Sequence, residues 1–191
     1  QLKTYTEFQE LGTYKSYFGI FGDNIFDSAD VRTAIRTLSE HTSKANPRST
    51  DKRIERLLQL NPNKYMNGKD FLAKVRNILE IKNTAFVYIE RDNTGKVIGF
   101  YPVPYQTYTA VEYKNGLYVQ FSFDGNAVNQ LVVPWEDLAV LRKDYLMSDI
   151  GGENNKPLLG TLDVINTMDQ GLENAVKSTA NLRGILKSTK A

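Results

Sequence analysis

The stretch Asp51–Val133, DKRIERLLQLNPNKYMNGKDFLAKVRNILEIKNTAFVYIERDNTGKVIGFYPVPYQTYTAVEYKNGLYVQFSFDGNAVNQLVV, decides the fold. It opens with a short helix, DKRIERLLQL, breaks at Asn61-Pro62-Asn63, and resumes as a second amphipathic helix, GKDFLAKVRNILEIK. In that second helix Phe71, Leu72, Val75, Ile78 and Leu79 share one stripe, the pattern of a helix laid against a sheet. Short strands follow. Ala85–Arg91 and Lys96–Val103 flank Asp92-Asn93-Thr94-Gly95, whose glycine takes positive φ without steric cost. Tyr108–Lys114 and Leu117–Phe123 flank Asn115-Gly116, a strong hairpin signal. The predicted class is α+β: antiparallel hairpins packed with amphipathic helices, then a long C-terminal helix.

Working outward, Leu117, Val119, Phe121 and Phe123 alternate with Tyr118, Gln120 and Ser122, so one face of that strand is buried. Pro102 and Pro104 place the preceding strand at a sheet edge, because proline donates nothing to a ladder. Asp124-Gly125-Asn126 turns the chain into Val128–Val133, and Pro134–Asp137 turns it into Leu138–Arg142. The polar, Gly-rich segment between Arg142 and Pro157 reads as a mobile or contact loop. From Leu158 to Leu182 apolar residues recur every three or four positions, through Leu162, Ile165, Met168, Leu172 and Val176: a long helix with one stripe. Gly160 and Gly171 weaken it by about 1 kcal/mol each, which points to close packing or a bend there.

Upstream, Ser28 is placed to cap a helix whose stripe is Val31, Ala34, Ile35 and Leu38, with Arg32, Arg36 and Glu40 on the other side. Thr50 or Asp51 caps the next. Residues 1–30 form an aromatic-rich arm carrying Tyr5, Phe8, Tyr14, Tyr17, Phe18, Phe21 and Phe26. That much ring area wraps its own domain or packs on a neighbouring subunit.

With 191 residues the chain has room for a substantial core, hiding roughly 70% of its unfolded surface. Its 24 basic and 22 acidic residues give a formal charge of +2, which names no nucleic-acid partner. It has no cysteine, excluding disulfides and thiolate chemistry. No apolar run approaches the roughly 18 residues that span a bilayer, so no membrane partner is expected. The chain starts at Gln1 and stops just after Leu182–Ser188, which looks like the start of another element, so a piece of a longer protein is expected.

Chemistry is sparse. The single histidine, His41, has no second ligand at metal spacing. Phosphate-loop, dinucleotide and nucleophile-elbow motifs are absent. Glu136-Asp137 and Asp149 with Glu153 are acid pairs of the kind that is usually only solvated, and Arg32, Arg36 and Glu40 read as a solvated face before a phosphate-contacting ladder. Strand aromatics near Arg91, Lys96 and Lys114 offer an alternative, a nucleic-acid-binding module on an aromatic strand face. The same rings equally suit an antiparallel core. The expectation is no enzyme, with no catalytic, cofactor-binding or metal residue; a hydrolase using Glu136 or Asp137 is the remaining rival.

Four segments, LLQLNPNKYMNGKDFLAKV, NTAFVYIERDNTGKVIGFYPV, Trp135–Arg142 and PLLGTLDVINTMDQGLENAVKSTANLRGILK, resemble in sequence and in order the portal (head-to-tail connector) proteins of tailed bacteriophages. The resemblance covers Val31–Lys187. Its best local matches are Asn61-Pro62-Asn63, Asn83-Thr84-Ala85, Gly95-Lys96-Val97 and Asn181–Leu186. Two departures are Lys82, where a glycine is common, and Asn155-Lys156-Pro157-Leu158, where a Gly-x-Ser-Pro-Leu pattern is common.

The resemblance implies a ring-forming structural subunit, dodecameric, at one capsid vertex, assembled in the host cytoplasm and carried in the virion. Double-stranded DNA passes through such a ring during packaging and ejection. Terminase, capsid and head-tail adaptor proteins are the implied partners, and the DNA-contacting residues are left unassigned. On this reading 31–156 is a wing-like domain, 157–182 a helix leading to the stem, and 183–191 the start of a clip-like segment.

Overall fold

The structure, a computed structural model, describes residues 9–14, 29–123, 130–144, 146, 148–153 and 155–180. The Ser28 cap, the Asp124-Gly125-Asn126 turn, the segment 183–191 and most of the aromatic arm lie outside the described residues. The order is β1 (Gln9–Tyr14), α1 (Ala29–Ser43), α2 (Lys52–Gln59), α3 (Gly68–Lys82), β2 (Thr84–Arg91), β3 (Val97–Pro102), β4 (Thr107–Tyr113), β5 (Gly116–Ser122), β6 (Gln130–Pro134), a single 3-10 turn at Trp135–Asp137, β7 (Leu138–Arg142) and α4 (Lys156–Ala180). Two compact units result, Gln1–Asn155 and Lys156–Ala191.

Local chemistry sets the helix ends. Asp51 caps α2 by accepting from the amides of Arg53 (2.8 Å) and Ile54 (3.4 Å). Asn67 caps α3 by accepting from the Asp70 amide at 2.9 Å. At the other end of α3, Asn83 adopts a left-handed conformation with φ 54°, which asparagine tolerates better than most residues. Phe71, Val75 and Ile78 of α3 are buried, with Leu72 and Leu79 packed partly against the same core. The α3 stripe lies where its spacing predicts.

All strand pairing is antiparallel, in two sheets of order β1-β4-β5-β6 and β3-β2-β7. Strand β1 lies within the aromatic arm, where sequence periodicity predicts no element, and it pairs along β4 of its own chain. The β4–β5 turn sits one residue earlier than the Asn115-Gly116 motif suggests. Lys114 and Asn115 carry the positive φ (48° and 61°), while Gly116 already pairs with Tyr113. That register sets Tyr108 opposite Phe121 and Ala110 opposite Val119, all buried.

Strand β3 is an edge strand, as Pro102 predicts, and the α2–α3 connection closes its outer side. The Phe100 amide donates to Pro62 O at 2.8 Å, the Asn63 side chain donates to Phe100 O at 2.8 Å, and Arg53 donates to Val97 O. An edge so occupied offers no template for another strand.

The core lies between the sheets. Phe86 of β2 meets Tyr108 (ring centroids 4.8 Å), Phe121 (5.0 Å) and Tyr105 (5.3 Å) edge-on. The Tyr105 hydroxyl donates to Thr84 O at 2.7 Å, and burial pushes that phenol's pKa well above its ordinary value. Lys82 lays its ammonium 4.5 Å from the Tyr105 ring centre and donates to Tyr105 O, a use for lysine at a place where the resembling family often has glycine.

A pH effect follows from Tyr105. In the unfolded chain its phenol ionises near pH 10, before the buried one does, so its contribution is complete below that pH and fades as pH rises through the folded value. Urea unfolding from pH 8 to 11 is expected to show this decline. Tyr105→Phe should flatten it, at a cost of about 1 kcal/mol at neutral pH.

One expectation needs correcting. In α1 the buried positions are Ile35 and Ser39, while Ala34 is exposed and Leu38 is 42% exposed. Ser39 is hydrogen-bonded to Asn77 of α3, and that polar contact turns the face away from the purely apolar stripe. The described part of the segment after Arg142, expected as a mobile or contact loop, is held against α3 and β2. Ser148, Gly152 and Asn155 are buried, and the Gly152 amide donates to the Thr84 hydroxyl at 2.7 Å. A Cβ on Gly152 would collide with the carbonyl oxygens of Asn83 and Lys143. Only glycine permits that approach.

Candidate assembly surface

Helix α4 has 25 residues, about 37 Å at 1.5 Å per residue. Val164, Met168, Leu172 and Val176 are 59%, 63%, 64% and 65% exposed, and Leu158 is 52% exposed. The four fall at successive i+4 positions, so they make one continuous ridge of the kind that seats in the groove of a facing helix. Among the described residues, the helix's own backbone and the adjoining residues aside, no atom lies within 4 Å of where a Cβ on Gly160 or Gly171 would stand. Polar residues hold the rest of the surface in water: Lys177 pairs with Glu173 one turn away, and the Thr167 hydroxyl donates to Asp163 O at 2.8 Å. The helix presents an apolar ridge with no chemistry on it.

The residues singled out for chemistry disperse. His41 is exposed in the last turn of α1. Asp137 pairs with Arg91 at 3.1 Å, joining the 3-10 turn to the end of β2. Asp149 accepts from Arg142 through its backbone oxygen, and the Glu153 carboxylate accepts from the Leu146 amide at 3.3 Å. Arg36 and Glu40 form an exposed ion pair at 2.8 Å, the solvated face expected of them. Among the described residues no cluster of three or more His, Asp or Glu side chains is placed to hold a metal ion, and no helix is long and apolar enough to cross a membrane.

The strand aromatics divide between the two faces of the four-stranded sheet. Phe86, Tyr105, Tyr108 and Phe121 are core. Tyr113 and Tyr118 pair at 6.3 Å on the other face of the four-stranded sheet, with Lys114 5.0 Å from the Tyr113 ring centre. Arg91 and Lys96 belong to the hairpin of the three-stranded sheet.

Sequence reasoning overlooked a polar clamp around the C-terminal end of α3. Asn83 donates to Glu153 O at 2.8 Å and to the Asn155 side chain, Asn155 donates to Ile81 O at 3.0 Å, and the Lys143 amide donates to Asn83 O at 2.9 Å. Beside it Glu80, with its side chain 8% exposed, pairs with Arg76 and with Lys143 (2.8 Å). An asparagine directly after a periodic helix, and the Gly151-Gly152 pair, were the available signals.

A family model described as phage portal protein matches residues 29–191. The chain belongs to the phage portal protein family. Among curated proteins none matches it. Solved structures of similar fold include the neck of an empty gene transfer agent particle computed with C6 symmetry, at a TM-score of 0.62 and 10% identity, covering 94% of this chain and 50% of that chain. The virion of the native gene transfer agent particle matches at 0.67 and 11%, covering 94% and 49%. The neck of the native particle computed with C12 symmetry matches at 0.64 and 10%, covering 93% and 48%. Identity this low makes the likeness one of fold. The portal-family chain spans about half the length of the solved chains it resembles.

Proposed function

We propose that this chain is a structural subunit of a portal ring at one capsid vertex, through which double-stranded DNA enters and leaves the head. The observation that carries the reading is the α4 ridge. Four large apolar side chains at i+4 spacing, each more than half exposed, are an interface awaiting a partner, and in a ring the partner is the same helix region of the next subunit. A heterologous contact repeated by rotation closes into such an annulus.

In this reading the unit Gln1–Asn155 is the wing-like body, α4 leads to the stem, and residues 183–191 begin a clip-like segment. Terminase, capsid and head-tail adaptor proteins meet other surfaces of the complete ring, and the product is carried in the virion after assembly in the host cytoplasm. No reaction is needed from the chain. A near-balanced charge suits a channel in which DNA slides, since each neutralised phosphate strengthens grip.

The test places charge on the ridge. Met168→Asp with Leu172→Asp in the full-length protein should raise the concentration for half-assembly at least about tenfold while leaving the unfolding midpoint within a degree or so, because neither side chain supports the fold. Sedimentation velocity reads both species. Unchanged assembly by the folded double variant would remove the ridge from the interface.

A further inference from the structure

Helix α2 and the edge strand β3 bound a second surface that the ring reading leaves unused. Leu57, Leu60, Val97 and Ile98 line this groove, and Leu60 is 53% and Ile98 47% exposed. Arg53, Arg56 and Lys96 also line it, against one acid, Asp92. That acid is occupied: its carboxylate accepts from the amides of Thr94 (2.8 Å) and Lys96 (3.0 Å) and from the Thr94 hydroxyl (2.6 Å). Arg53 is tied to Val97 O. Among the described residues Arg56 and Lys96 make no ion pair.

We propose that this groove docks an acidic amphipathic segment of a partner protein, its apolar face over Leu60 and Ile98 and its carboxylates on Arg56 and Lys96. The charge balance of the rim selects an anionic partner. The aliphatic lining selects a protein segment over nucleic acid, which is held by cations on phosphates and by aromatic stacking, and no ring lines this groove. Strand addition is blocked, because Phe100 N and O and Val97 O already have partners. What remains is a helix laid in a groove by its side chains. The surface lies within the unit Gln1–Asn155.

The probe is a short synthetic amphipathic helix with leucines on one face and glutamates on the other, labelled for fluorescence anisotropy. Its controls are the same peptide with lysine for glutamate, and a short DNA duplex. The acidic peptide should bind, and bind more weakly as salt is raised. Arg56→Glu with Lys96→Glu should weaken it at least about tenfold. Ile98→Lys, a separate surface change, should weaken it comparably while the circular dichroism spectrum and unfolding midpoint stay unaltered. Absence of binding, equal binding of the lysine peptide, indifference to both variants, or displacement by the duplex would each overturn the proposal.

Discussion

Phe86→Ala is expected to cost about 3–5 kcal/mol, the largest loss of any single substitution considered for this chain. Phe86 is wholly buried and its ring touches Tyr105, Tyr108 and Phe121. Removing it opens a cavity where the two sheets meet, and neither sheet moves in to fill it without breaking its own ladder. Against a total stability of about 5–15 kcal/mol, a large share of the chain would unfold near body temperature. Phe86→Leu, which keeps most of the volume, should recover more than half of the loss. Urea denaturation of the three proteins gives the comparison, and a loss under about 1 kcal/mol for alanine would mean that the sheets do not share this core.

Asn83→Ala is expected to be the second largest, at about 2–4 kcal/mol. Alanine at φ 54° pays about 1 kcal/mol for a left-handed conformation that asparagine tolerates better. It also strands buried groups, since Glu153 O and the Asn155 side chain lose the donor that holds them, and an orphaned buried polar group costs about 1–3 kcal/mol. Asn83→Gly separates the two causes: it relieves the backbone while still losing the donor. Hydrogen exchange should quicken at the amides of Lys143 and Gly152, which are bonded to Asn83 O and the Thr84 hydroxyl. Unchanged protection at both amides, with stability retained, would contradict the clamp.

These two sites also show what sequence does and does not carry. Phe86 sits in a run, Ala85 to Arg91, whose composition announces a strand, and the α3 stripe and the edge position of β3 are equally readable, because each depends on a period or on one residue's missing donor. The clamp depends on Asn83 meeting Asn155 across 72 positions, and no local pattern encodes that pairing. The face of α1 was misread for the same reason. A serine facing Asn77 outranks an alanine and a leucine at the right spacing. Strand β1 was missed because its strand character comes from pairing with β4 and not from its own alternation. On the candidate surface the outcome was mixed. The apolar repeat of α4 was legible in the sequence, and Met168, Leu172 and Val176 of it are exposed. The particular uses of two of the acids, Asp137 on Arg91 and Glu153 on the Leu146 amide, needed coordinates.

The central proposal is that identical copies of the full-length protein close into a ring. Native mass spectrometry of the full-length protein, purified without detergent and sprayed at micromolar subunit concentration, tests this most directly. A single closed species near the dodecamer mass, with no ladder of smaller open oligomers, is the predicted result. A monomer that persists across salt and concentration would contradict it.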